Sequence, residues 1–75
     1  MAKYELFGTR GCPYTRDLRD WLEWEGLEFA EYDVEADSEA RTRMLKICNG
    51  QRTVPVLALE GAAVQIGWQG RGCVV

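Results

Sequence analysis

The chain contains no histidine, only three cysteines and no Cys-x-x-Cys pair, so a typical zinc site lacks its ligands. No apolar run approaches the roughly 20 residues that span a bilayer, and the first residues, MAKYELFGTR, lack the apolar stretch of a secretory signal. Nor are there blocks of one charge. The net charge of −3 is spread along interspersed acids and bases, which leaves no electrostatic footprint for a phosphate backbone or an anionic lipid surface. These absences argue against nucleic acid and membrane as partners and predict a cytosolic protein. Cys12, Cys48 and Cys73 lie far apart and are odd in number, which predicts free thiols in a reducing compartment.

At 75 residues the chain is too short to divide its apolar side chains between two cores, so residues 1–75 are expected to form one domain. The apolar share of 47%, with three Trp, three Tyr and two Phe, is enough for a folded domain without metal or disulfide staples. Tyr4 and Leu6 alternate with Lys3 and Glu5 before Gly8, which predicts a first strand and then a loop over residues 8–11. Pro13 suits a first helical position. After it Tyr14, Leu18, Trp21, Leu22 and Glu25 recur at helical spacing until Gly26 supplies a stop.

Residues 27–34 alternate again and predict a second strand, parallel to the first through a right-handed crossover. Asp37 or Ser38 can cap a second helix that gathers Ala40, Met44, Ile47 and Cys48 on one face and ends at Asn49-Gly50. Arg41, Arg43 and Lys46 fall on its wet side. Residues 54–59 and 62–66 flank Glu60-Gly61 and read as a hairpin. The resulting order is βαβαββ, an α/β domain. Residues 67–75 carry three glycines in their first six positions and predict a Gly-rich tail without a further helix.

Cys12 is the leading candidate for chemistry. A thiol just before a helix faces unpaired backbone N–H groups and the positive end of the helix dipole, which stabilise its thiolate. Arg10 places a positive charge nearby, and Thr15 brings a backbone N–H and a hydroxyl as donors. The competing reading is that of a small buried hydrophobe. Thr53-Val54-Pro55 opens the third strand, where proline costs a ladder hydrogen bond. A cis Val54–Pro55 peptide would supply the geometry that tolerates it.

With both elements in view the sequence resembles the glutaredoxin family over residues 3–67. Cys12-Pro13-Tyr14-Thr15 is similar to its active-site loop, Thr53-Val54-Pro55 to its cis-proline motif, and Gln51-Arg52 fits the same stretch. The resemblance implies a three-layer thioredoxin-like fold with the last helix absent or much reduced. It implies glutathione as co-substrate and protein or small-molecule mixed disulfides as substrates, without a metal or organic prosthetic group. The implied glutathione site comprises the loop around Cys12 with Arg10 and Tyr14, then Arg52, Thr53, the backbone of Val54 beside Pro55, and the turn Gly67-Trp68.

Three departures from the family pattern bear on mechanism. Thr15 stands where dithiol members carry a second cysteine, which implies a monothiol cycle through Cys12 unless another cysteine takes part. Thr9 stands where members carry Lys or Arg for the glutathione carboxylate, and Arg10 is the available substitute. Trp68-Gln69-Gly70-Arg71-Gly72-Cys73 replaces the usual Gly-Gly segment and final helix. This tail and the CPYT loop also resemble a short bacterial glutaredoxin-like group in which selenocysteine can replace the nucleophile. Loss of the helix should uncover an apolar sheet face, and such a face suggests a homodimer.

Cys73 reads either as a resolving thiol or as an incidental terminal cysteine, and Cys48, beside Met44 and Ile47, as a structural one. Trp21 fits the core stripe of the first helix whereas Trp24 does not. In the monothiol reading the Cys12 thiolate attacks a mixed disulfide, releases the substrate thiol and is left bearing glutathione, which a second glutathione removes. Two alternatives remain open: an iron–sulfur carrier bridged by Cys12 and glutathione, or a non-catalytic thioredoxin-fold binding module.

Overall fold

The computed structural model describes residues 3–75. Its elements run β1 (Tyr4–Gly8), α1 (Pro13–Trp24), β2 (Phe29–Asp33), α2 (Ser38–Ile47), β3 (Thr53–Val54), β4 (Val56–Leu59), β5 (Ala62–Ile66) and β6 (Cys73–Val74). The main sheet has the order β2-β1-β4-β5, with β1 parallel to β2 and the other pairs antiparallel. β1 is a central strand with both faces covered, which is why the adjacent residues Leu6 and Phe7 are both wholly buried. Leu6 joins Leu57 under Leu18 and Leu22 of α1. Phe7 joins Val34, Val56 and Ala58 under Ala40 and Met44 of α2.

Local chemistry fixes the element ends. Asp37 is the N-cap of α2, where its carboxylate accepts from the N–H groups of Glu39 and Ala40, each at 3.1 Å. The β4–β5 turn places Glu60 at φ 54° and Gly61 at φ 81°, both left-handed, as a two-residue hairpin turn matching the strand twist requires. Among the described residues no helix is long and apolar enough to cross a membrane.

The thioredoxin-like α/β architecture matches the sequence expectation, with four corrections. β2 begins at Phe29 rather than Leu27 and ends at Asp33. The third strand is broken at Pro55, which lacks an N–H, so Thr53–Val54 leaves the main sheet and pairs with β6 in a separate two-stranded ribbon. Residues 67–75 are therefore not a plain tail. They include a strand, because the chain reverses at Gln69-Gly70, where Trp68 and Arg71 exchange backbone hydrogen bonds of 2.6 and 2.9 Å.

Finally, Trp21 does not enter the core. Thr15, Leu18 and Leu22 form the buried stripe of α1, and Trp21 lies at its margin against Trp68. Among the described residues no helix follows β5, and Trp68 packs on the Leu6, Leu18, Leu22 and Leu57 cluster. The sheet face expected to be uncovered is thus largely closed, with Leu57 only 4% exposed. The large apolar side chains that remain exposed on the hairpin are Val64 and Ile66.

A candidate thiol site at the start of the first helix

Cys12 is the N-cap of α1 and Pro13 its first helical residue. The backbone at Cys12 is extended, at φ −93° and ψ 114°, and no side chain caps the helix. The early N–H groups of the helix, which have no intrahelical acceptor, are left facing the region of the sulfur. No acidic side chain occupies that first turn, so no like charge there opposes a thiolate at Cys12.

The sulfur of Cys12 is bonded to that of Cys73, with the two Cα atoms 6.0 Å apart. This corrects the expectation of three free thiols: among the described residues only Cys48 is free. The pairing depends on β6 returning to β3, where Cys73 lies opposite Val54 and Val74 opposite Thr53. The N–H of Val75 extends the pairing with a bond to the Arg52 carbonyl, at 2.8 Å. Cys12 itself is 2% exposed.

The Val54–Pro55 peptide is cis. The Val54 carbonyl oxygen lies 3.9 Å from the Cys12 sulfur, which has no hydrogen to donate while disulfide-bonded. Next along the chain, the Pro55 carbonyl accepts from the N–H of Gly67 at 2.7 Å. Gly67 is buried at φ +83°, and a β-carbon there would lie 2.7 Å from the Arg71 carbonyl oxygen. Cys12, Arg52, Thr53, Val54, Pro55, Gly67 and Cys73 are thereby linked through the strand pair and its turns.

Arg10 belongs to another neighbourhood. It lines a cleft of about 570 Å³ on which Arg16, Arg19, Glu31, Asp33 and Thr15 also open, together with Cys12 and Pro13. Tyr14, Thr53, Val54, Pro55, Gly67 and Trp68 do not line that cleft. Tyr14 packs instead against the α2-side core. Arg19 is drawn to Glu31 at 3.3 Å across the cleft, and both side chains are over a third exposed. Thr15 is buried beneath it, and its hydroxyl oxygen has no hydrogen-bond partner among the described residues. Cys48, at the end of α2, is buried with Met44 and Phe7, and loss of solvent pushes its thiol pKa up.

A sequence model of the Glutaredoxin family matches residues 4–64. The chain belongs to the glutaredoxin family. Probable glutaredoxin slr1562 of Synechocystis sp. is 37% identical over 63 residues, covering 84% of this chain and 58% of that protein. Probable glutaredoxin ssr2061 of the same organism is 34% identical over 59 residues, covering 79% and 67%. The chain thus spans little more than half the length of the first of these relatives. Among solved structures, the thioredoxin-like protein BC3987 superposes with a TM-score of 0.76 at 26% identity, over 88% of each chain. Glutaredoxin 1 from Francisella tularensis shares the fold at a TM-score of 0.59 and 19% identity, over 91% and 85%.

For this glutaredoxin, sequence reasoning missed Gly8 and Gly72. A β-carbon on Gly72 would lie 2.6 Å from both the Val54 carbonyl oxygen and the Thr53 methyl, and one on Gly8 would strike the Thr15 side chain. The only sequence signal for either was a glycine beside a residue already singled out. Arg16 and Arg19 were also passed over, since a helical face of arginines reads first as solvated surface.

Proposed function

We propose that this glutaredoxin is a glutathione-dependent thiol–disulfide oxidoreductase whose nucleophile is Cys12, the observation that carries the reading being a cysteine at the N-cap of α1, where no side chain caps the helix. In the reduced protein the Cys12 thiolate is stabilised by the unpaired N–H groups at the start of α1. The buried Thr15 hydroxyl, which has no partner, is available as a further donor. Attack on a glutathionylated substrate forms a Cys12–glutathione bond and breaks the substrate's disulfide, whose electron pair leaves on the substrate thiolate. A second glutathione then attacks the adduct, returning Cys12 as thiolate and leaving as glutathione disulfide. The stabilisation that populates the thiolate also makes Cys12 a good leaving group.

Glutathione would lie along the Thr53–Val54 edge, with Arg52 and Gly67-Trp68 at its ends. An extended tripeptide has the backbone donors and acceptors that this edge pairs with. Because β6 holds the edge in the disulfide form, glutathione binds there only once the Cys12–Cys73 bond is open. The test is glutathione-dependent reduction of a glutathionylated peptide by the wild type, Cys12→Ser and Cys73→Ser. Turnover by the wild type and by Cys73→Ser, with Cys12→Ser inactive, supports the monothiol cycle. No turnover by any of the three overturns the reading.

A further inference from the structure

β3 is a two-residue strand detached from the main sheet, and among the described residues its one partner is β6. Three independent features hold β6 there. Gln69 at φ 52° and Gly70 at φ 78° form a tight turn, both left-handed, that sends the chain back toward β3. Gly72 has no side chain, and the space a β-carbon would need is already filled by the Val54 carbonyl and the Thr53 methyl. The ladder then runs through Cys73 opposite Val54, Val74 opposite Thr53, and the Val75 N–H on the Arg52 carbonyl. Turn, glycine and register together deliver one sulfur to Cys12.

We infer that Cys73 is the resolving thiol for mixed disulfides at Cys12, presented by β6 as a strand built into the chain where a separate thiol-bearing strand would otherwise pair. This rests on the reading of Cys12 as nucleophile. When Cys12 carries R–S, the Cys73 thiolate attacks the Cys12 sulfur. The Cys12–Cys73 bond forms, the Cys12–SR bond breaks, and the electron pair departs on R–S⁻, which takes up a proton from water. Two glutathiones return the internal disulfide to two thiols and become glutathione disulfide, so the electrons balance. Tethering replaces an encounter with a second glutathione by an intramolecular step, and β6 must leave Thr53–Val54 before another strand can use that edge.

The experiment is acid-quenched intact-mass spectrometry after mixing each fully reduced protein with one equivalent of glutathione disulfide. Wild type should pass through the Cys12–glutathione adduct to the internal disulfide, releasing the second glutathione. Cys73→Ser should stop at the adduct. Gly72→Val keeps both thiols but cannot nest β6 against Val54, and its adduct should resolve at least about tenfold more slowly. A wild-type adduct that persists, or a Gly72→Val adduct that resolves at the wild-type rate, overturns the inference while leaving the monothiol reading intact. Absence of any adduct in Cys73→Ser overturns the Cys12 reading and this inference with it.

Discussion

The indole rings of Trp21 and Trp68 lie 6.0 Å apart at 52° to one another, with Trp68 packed over Leu6, Leu18, Leu22 and Leu57. Trp68 covers this apolar surface, and among the described residues no helix follows β5. Trp68→Ala is therefore expected to destabilise the domain by about 2–4 kcal/mol, measured by urea unfolding. Trp21→Ala, which removes a side chain at the margin, should cost less. The coupling between the two in a double-mutant cycle should be about 0.5–1.5 kcal/mol. Additive effects would show that the rings contribute only as separate apolar surfaces.

Gly8 and Thr15 share one space. A β-carbon on Gly8 would come 2.6 Å from the Thr15 hydroxyl oxygen and 2.9 Å from its Cβ, so the strand end and the first turn of α1 meet without room for a methyl group. Gly8→Ala should destabilise by about 1–3 kcal/mol through overpacking. Adding Thr15→Ala, which removes the methyl and hydroxyl but keeps Cβ, should recover part of that loss. No recovery in the double variant would move the cause of the destabilisation away from this contact.

The alternation that begins at Lys3 and runs to Phe7, the capping Asp37 and the Glu60-Gly61 turn made most of the main sheet legible, because each is a local pattern with a local cause. Cys12 at the start of a helix and the Thr53-Val54-Pro55 motif were legible for the same reason. The Cys12–Cys73 bond was not. It spans 61 positions and depends on a turn at Gln69-Gly70 whose direction no periodicity in a nine-residue glycine-rich segment reveals. The misplacing of Trp21 has a different origin: Trp21 and Leu22 are neighbours on the helix, and spacing alone does not separate the centre of the stripe, at Leu22, from its margin, at Trp21.

Thr15→Val tests the partnerless hydroxyl. A buried hydroxyl without a hydrogen bond costs about 1–3 kcal/mol, and valine keeps the shape while removing it. In the disulfide form, Thr15→Val should be at least as stable as the wild type by thermal unfolding. In the reduced form the same change removes a donor available to the Cys12 thiolate, and alkylation of Cys12 at neutral pH should slow. A variant that is destabilised when oxidised would mean that the hydroxyl already has a partner.

Cys48 gives the oxidised protein a defined alkaline response, since Cys12 and Cys73 do not titrate in that form. In the unfolded chain its thiol ionises near the ordinary value of about 8.5, whereas burial raises the folded pKa above its ordinary value. Between the two, the unfolded state binds fewer protons than the folded one, so stability falls as pH rises. Unfolding free energies of the oxidised wild type should therefore decline above pH about 8.5 more steeply than those of Cys48→Ala. Parallel curves would show that Cys48 ionises alike in both states.

Closing a loop between residues 61 positions apart restricts the unfolded chain, and the chain-entropy relation gives about 4 kcal/mol for a loop of that length, with about 2–4 kcal/mol typical of measurement. Oxidised wild type should accordingly unfold at higher urea than the reduced protein, with a difference in that range, while Cys73→Ser should be indifferent to reductant. The reduced form also loses the covalent tie that holds β6 to β3. Backbone amides of Val54, Cys73 and Val75, the donors of the β3–β6 ladder, should then exchange with deuterium faster than in the oxidised form, ahead of amides in β1 and β4, whose pairing does not depend on the bond. Uniform acceleration across all of these strands would instead mean that the disulfide stabilises the domain as a whole and that β6 does not open separately.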